Sequence, residues 1–118
     1  MDLLFLQNIV GRITHGLIGF DLVSQGKDGS KYLADFLSLE ESEIDAAFNF
    51  ASVNLGFIPA NAKYSSEEKQ QLKKVIRRAR AIAEKGSEMG SQEAKQIISE
   101  LYEKMDFLYQ GLSAEKPM

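Results

Sequence analysis

Residues 39–55, LEESEIDAAFNFASVNL, decide how the chain is expected to fold. Placed at 100° per residue on a helix, their apolar side chains cover most of the circumference and leave one narrow polar strip. The strip consists of Glu41, Asp45, Asn49 and Ser52. A helix that is apolar on most sides is typical of the centre of a bundle. We therefore predict a central helix that is N-capped by Ser38 and ends at Gly56.

Two helical patterns precede this stretch. Apolar residues at helical spacing predict a first helix over about residues 3–22, in which Gly16 and Gly19 are poor helix formers and could end it early. Residues 26–30, Gly-Lys-Asp-Gly-Ser, have the composition of a turn. A short helix over residues 31–37 is expected to follow that turn.

Two further patterns follow the central stretch. After an irregular connection from Gly56, Ser65 or Ser66 is expected to cap a long helix that ends near Lys85. The last helix is expected to begin after Ser91 and to end at Gly111, and its apolar residues form one continuous stripe.

The fold class predicted from these patterns is all-α, a compact bundle of four to five helices. Only 14 of the 118 residues are Val, Ile or Thr, the β-branched types that strands favour. The length fits a single domain, which we place at residues 1–111, followed by a flexible C-terminal tail over residues 112–118.

The sequence offers no pattern for a catalytic, cofactor or metal site. There is no Cys, and His15 is the only His, so neither a His pair for zinc nor a defined nucleophile–base pair can be identified. His15 falls on the polar side of the first helix and is expected to be a surface residue. We therefore predict a protein that is not an enzyme and that needs no cofactor.

The N-terminal residues favour a cytoplasmic protein that does not cross a membrane. Met-Asp-Leu-Leu-Phe-Leu carries an acid where a signal peptide has Lys or Arg. Residues 3–23 are interrupted by polar side chains, so no apolar run has the length of a membrane span.

Charge is concentrated on the fourth helix. Residues 62–85 carry a net charge of +5, whereas the whole chain carries −3. A basic surface over helix 66–85 is the alternative candidate site, for a nucleic-acid-associated regulator. Its residues are Lys73, Lys74, Arg77, Arg78 and Arg80. A face that is merely solvated, or neutralised by neighbouring acidic helices, is the competing interpretation.

An acidic and aromatic surface is the leading candidate site. Phe107 lies outside the apolar stripe of the last helix and is expected to be exposed, as interface anchors are, unless the tail or the first helix covers it. Tyr102 and Tyr109 lie within the stripe and are expected in the core. The partner-binding residues predicted for this surface are Glu41, Asp45, Glu100, Glu103 and Phe107.

These observations favour a non-catalytic module that binds another protein. Small, acidic helical chains without Cys are frequent among bacterial immunity proteins, inhibitors and secretion chaperones, and this analogy rests on size and charge. The most concrete hypothesis is an immunity-type inhibitor whose carboxylates steer a basic partner. An adaptor, and a homodimer formed through the first helix, remain open.

Overall fold

The structure is a computed structural model that describes residues 2–54 and 62–113. All its elements are helical, and the predicted all-α bundle of four to five helices is confirmed. The elements are α1 (Asp2–Ser24), α2 (Ser30–Leu37), α3 (Glu41–Asn54), α4 (Ala62–Ala83) and α5 (Ser91–Ser113), with a 3₁₀ turn at Gly86–Glu88.

The core lies where α1, α3 and α5 meet, and α4 closes it from the outside. α1 packs against α2, α3 and α5, while α4 packs against α2, α3 and α5. The largest fully buried side chains of the core are Leu6, Ile9, Ile13, Phe20, Phe36, Leu39, Phe48, Ile44, Leu72, Ile76, Ile97 and Leu101. Every helix therefore presents one apolar face to a shared interior.

α3 is less enclosed than its composition predicts. Ile44 and Phe48 are buried, but Phe50 is half-buried and Val53 is 70% exposed. Within the described residues α3 packs chiefly against α1, α4 and α5, and apolar residues on its outer side stay in contact with solvent.

Two glycines that were expected to weaken α1 are its contact points with α2. A Cβ atom at Gly16 would lie 2.7 Å from the Phe36 ring, and one at Gly19 would lie 2.7 Å from the Leu33 side chain. Real Cβ atoms do not approach so closely, so a larger residue would push α2 away. α1 continues through both positions because packing against α2 offsets the low helix propensity of Gly.

Several predicted helix ends need correction. Ser38 is the C-cap of α2, not the N-cap of α3, and the backbone N–H of Glu40 donates to Glu43 Oε1 at 3.0 Å instead. α4 begins at Ala62, so the predicted start at Ser65 or Ser66 is wrong. Ala and Lys favour helix, and this explains the earlier start. The predicted stop at Gly56 lies outside the described residues.

α5 does not end at Gly111 but continues to Ser113. A Cβ at Gly111 would lie 2.5 Å from Ala51 Cβ, so this glycine allows α5 to approach α3. Leu112, predicted to begin the tail, is half-buried and packs against the core. Residues 114–118 of the predicted tail lie outside the described residues.

Within the described residues, one helix has the length and apolar composition of a membrane-crossing segment, α1 over Leu3–Ser24. Helices at the core of a bundle share that composition, and the side of α1 that carries Leu6, Ile9, Ile13 and Phe20 is fully buried in this one. The absence of a membrane span and the cytoplasmic location therefore stay predictions.

The glycine contacts give a test of the packing. Gly111→Ala should lower the free energy of unfolding by about 1–3 kcal/mol, because its Cβ cannot be accommodated without moving α3 or α5. Gly11→Ala is the matched control, since a Cβ at Gly11 would meet nothing within 4 Å. That control should raise stability by up to about 1 kcal/mol through helix propensity. Urea denaturation measures both, and equal effects would contradict the packing.

Candidate protein-binding surface

Three basic side chains of α4, Lys73, Arg77 and Arg78, are paired with acids inside the same molecule. On the side facing α3, Arg77 Nε and Nη2 donate to Glu41 at 2.6 and 2.8 Å, and Lys73 Nζ lies 3.1 Å from Asp45 Oδ1. Hydrogen bonds from Arg77 hold the pKa of Glu41 below its usual value. Arg80 donates to the backbone carbonyls of Leu37 and Leu39.

The side of α4 that faces α5 is paired in the same way. Arg78 binds both carboxylate oxygens of Glu100 and holds the pKa of Glu100 below its usual value. Lys85 Nζ lies 2.7 Å from Glu93 Oε2, with the same effect on the pKa of Glu93. These contacts fix α4 to its neighbours rather than leaving its cations free.

The basic surface and the acidic surface predicted from the sequence therefore largely bind each other inside the molecule. Of the basic set, Lys74 is exposed and makes no ion pair within the described part of the chain. Of the acidic set, Glu103 has the same status. The remaining charged members of both sets hold one another across α3, α4 and α5, or bind backbone carbonyls.

Phe107 is not exposed as the helical wheel predicts. It is half-buried and stacks on Phe48 of α3, with the ring centroids 4.2 Å apart and the planes 1° from parallel. α5 has neighbours on three sides, α1, α3 and α4, so its buried arc is wider than its continuous apolar stripe. Phe107 occupies the part of that arc that faces α3. The cover by the tail that the sequence offered as an alternative falls on residues 114–118, outside the described residues.

The exposed large apolar side chains gather on α1 and α5. In the described residues there are five, and four of them belong to these two helices. They are Leu4, Ile18, Tyr102 and Tyr109, with Val53 of α3 as the fifth. Tyr102 and Tyr109 were expected in the core, but they are 64% and 38% exposed. Both lie at the margin of the α5 stripe, where α1 covers only one side.

Of these side chains, Tyr109 meets α1 at Thr14, and helical spacing places Ile18 and Tyr102 further along the same side of the two helices. Ser91 Oγ donates to the Ser24 carbonyl, so the beginning of α5 lies beside the end of α1 and the two helices run antiparallel. Tyr109 Oη is 3.4 Å from Thr14 Oγ1. Because the helices are antiparallel, residues that precede Tyr109 on α5 lie beside residues that follow Thr14 on α1. Tyr102 and Ile18 therefore lie in the same direction from the Tyr109–Thr14 contact.

We name this face the seam surface. It comprises Thr14, Ile18, Tyr102 and Tyr109, with the exposed acid Asp106 beside them on α5. A second exposed acid, Glu103, lies on the solvent-facing side of the same helix. Asp106 accepts a hydrogen bond from Gln110, and no ion pair engages either acid within the described residues. The sequence carries a signal for the seam surface in the seven-residue spacing of Tyr102 and Tyr109, which places both on one line along α5. The same spacing fits the core stripe, so it does not by itself separate the two placements.

A polar groove lies on the other side of α1, against α2. Arg12 lines this groove and connects α1 to the chain after α2. Its guanidinium donates to Glu43, to Asn8 and to the hydroxyl and carbonyl oxygens of Ser38. The Arg12 hydrogen bonds hold the pKa of Glu43 below its usual value. His15, a surface residue as predicted, places Nδ1 2.7 Å from Asp35 Oδ2.

No group of three potential metal-ligating side chains occurs within the part of the chain that the structure describes. Comparisons with models of protein families, with curated proteins and with solved structures gave no significant match.

The Arg12–Glu43 contact predicts how stability depends on pH. Because the folded-state pKa of Glu43 lies below its ordinary value of 4.5, the contact stabilises the fold above that pH, and the contribution is lost as the pH falls through the lower, folded value. Glu43→Gln should make the free energy of unfolding fall less steeply between about pH 5 and pH 3.

Urea denaturation across that pH range tests this prediction. Glu103→Gln provides the control, because Glu103 makes no ion pair among the described residues. An unchanged pH dependence in Glu43→Gln would show that the Arg12 contact does not contribute.

Proposed function

We propose that this chain is a non-catalytic protein-binding module, most concretely a small acidic inhibitor of the immunity type or an adaptor. One observation carries the proposal, the concentration of exposed apolar side chains on the seam surface. Tyrosine is enriched at protein interfaces because it combines a large apolar area with a polar hydroxyl. Scattered apolar residues are normal on a surface, but a cluster on two adjacent helices is typical of a binding site.

Charge supports a basic partner. Asp106 lies beside the tyrosines, Glu103 is exposed on the solvent-facing side of the same helix, and the chain as a whole carries a net charge of −3. Acids at the rim of an apolar patch accelerate encounter with a positively charged surface and discriminate against acidic proteins.

Glu41, Asp45 and Glu100 are weaker candidates than Glu103. A partner that binds these three carboxylates has to displace Lys73, Arg77 or Arg78, and the displaced cation then has to be solvated. Phe107 would have to leave its stack on Phe48. The proposal therefore assigns first contact to the seam surface and keeps Glu103 from the acidic set.

The alternative, a nucleic-acid-associated regulator, is less well supported. Phosphate binding by α4 requires cations that are free of other partners, and Lys73, Arg77 and Arg78 are held by carboxylates while Arg80 holds backbone carbonyls. Only Lys74 of that set meets the requirement in the described residues.

Site-specific cross-linking tests the proposal. A photo-reactive phenylalanine analogue at position 102 should capture one basic protein from a lysate of the source cells, in equal yield with and without nuclease. The same analogue at position 53 is the control, because Val53 is equally exposed but lies on α3. Equal capture from both positions would overturn the seam surface, and capture lost on nuclease treatment would favour the alternative.

Tyr102→Ala should weaken binding of that captured protein by at least tenfold, the effect of removing an interface anchor. Val53→Ala should leave the affinity unchanged, and both variants should keep the parent's circular dichroism spectrum. Calorimetry or surface plasmon resonance measures the affinities. Equal affinities for the parent and Tyr102→Ala would contradict the assignment.

The exposed acids of α5, Glu103 and Asp106, should act mainly on the rate of association. Glu103→Lys combined with Asp106→Lys should slow association roughly tenfold at low salt, with a smaller effect at high salt where charges are screened. Glu84→Lys combined with Glu88→Lys is the control with the same change in net charge at exposed positions elsewhere. If both pairs slow association equally, net charge rather than the seam surface is responsible.

A further inference from the structure

The groove between α1 and α2 is open to solvent and is lined mainly by polar side chains. Its volume is about 500 Å³, and its lining residues are Gln7, Asn8, Gly11, Arg12, His15, Asp35 and Ser38. Volumes of this order hold small molecules or single side chains. At Gly11 a Cβ would meet no atom within 4 Å, so the helix backbone there borders open space.

The hydrogen bonds already made in the groove decide what it can accept. Arg12 is committed to Glu43, Ser38 and Asn8, and the Ser38 hydroxyl donates to the Asp35 carbonyl at 2.6 Å. The second carboxylate oxygen of Asp35 and the Nε2 atom of His15 have no partner among the hydrogen bonds of the described residues. A ligand that donates N–H groups would satisfy both atoms, given the His15 tautomer that donates from Nδ1.

Electrostatics also favour a cation. Asp35 lies in the last turn of α2, where the helix dipole is negative and adds to the carboxylate charge. The positive charge of Arg12 is offset by its bidentate contact with Glu43. The carboxylate of Asp35 is 55% exposed, so it can be reached from solvent.

We propose that this groove binds the ammonium or guanidinium group of a Lys or Arg side chain supplied by the protein partner, an inference that rests on the proposed function. Gly11 lies seven residues from both Leu4 and Ile18, so the three share one line along α1. A partner that covers Ile18 on the seam surface therefore reaches the groove across the same face of α1. Asp35 and His15 accept the hydrogen bonds, and Gly11 leaves space for the side chain.

Titration with agmatine, which carries both a guanidinium and an ammonium group, tests the groove without the partner. In ¹H–¹⁵N spectra at constant ionic strength, the Gly11 amide and the side-chain amides of Gln7 and Asn8 should shift and saturate. Asp35→Asn should raise the dissociation constant at least fivefold. Asp21→Asn is the control, because Asp21 is an exposed acid on α1 that does not line the groove.

A variant that fills the groove provides an independent test. Gly11→Leu should abolish the saturable shifts, whereas its thermal unfolding should remain cooperative because a Cβ atom at position 11 would meet no atom within 4 Å. Shifts that do not saturate, or that are the same in Asp35→Asn and in Gly11→Leu, would overturn the site.

The source of the cation is tested with a peptide and with the partner captured through position 102. An arginine peptide with apolar flanking residues should bind more tightly than agmatine, because it also covers Ile18. If agmatine binds more tightly than the peptide, the groove is a site for a free amine, and the proposal that it binds a side chain of the partner is overturned. If Tyr102→Ala lowers the affinity for the partner but Asp35→Asn does not, the groove proposal fails and the proposed function stands. If Asp35→Asn weakens agmatine and Tyr102→Ala leaves the partner's affinity unchanged, the seam surface fails instead.

Discussion

The contact between α1 and α2 is made through glycine, and the position of the polar groove and of the α2–α3 connection depends on it. A Cβ atom at Gly29 would lie 2.4 Å from the backbone carbonyl oxygen of Gly19, so the close approach of the chain before α2 to α1 requires glycine at position 29. This approach brings Asp35 of α2 to His15 of α1. It also carries the end of α2 to a place where side chains from two other elements can reach it.

Two arginines then fix the connection between α2 and α3. Arg12 of α1 binds the Ser38 carbonyl, and Arg80 of α4 binds the carbonyls of Leu37 and Leu39. The C-terminal carbonyls of a helix have no partner within the helix, and guanidinium groups are well suited to satisfy them. α3 therefore starts in a fixed direction, with Glu41 on the side that meets α4. The ion pairs along α4 follow from that direction.

The sequence predicts the helices well because each depends on local periodicity. The helix end predicted at Gly111 and the early end considered at Gly16 or Gly19 are wrong because helix propensity describes an isolated helix. In the folded chain each of these glycines allows a neighbouring helix to pack closely. The pairing of Arg77 with Glu41 could not be derived, since the two are 36 residues apart and either could equally be solvated.

The same limit applies to the candidate site. Tyr102 has an apolar neighbourhood on its helix, and only the position of α1 decides that it is exposed. Phe107 lies off the stripe, and the position of α3 decides that Phe48 stacks on it.

α1 has one side that is buried in the core and an opposite side that is open to solvent. One side, with Ile9 and Ile13, is buried and holds the bundle together. The opposite side carries Leu4, Gly11 and Ile18, lies between the groove and the seam surface, and makes no comparable contribution to the core. Since α4 is bound to α3 and α5 by ion pairs on both its flanks, the charged face of the bundle is largely self-contained. A partner gains most by burying apolar area where no internal contact must be broken, and in the described structure that condition is met best where α1 lies beside α5.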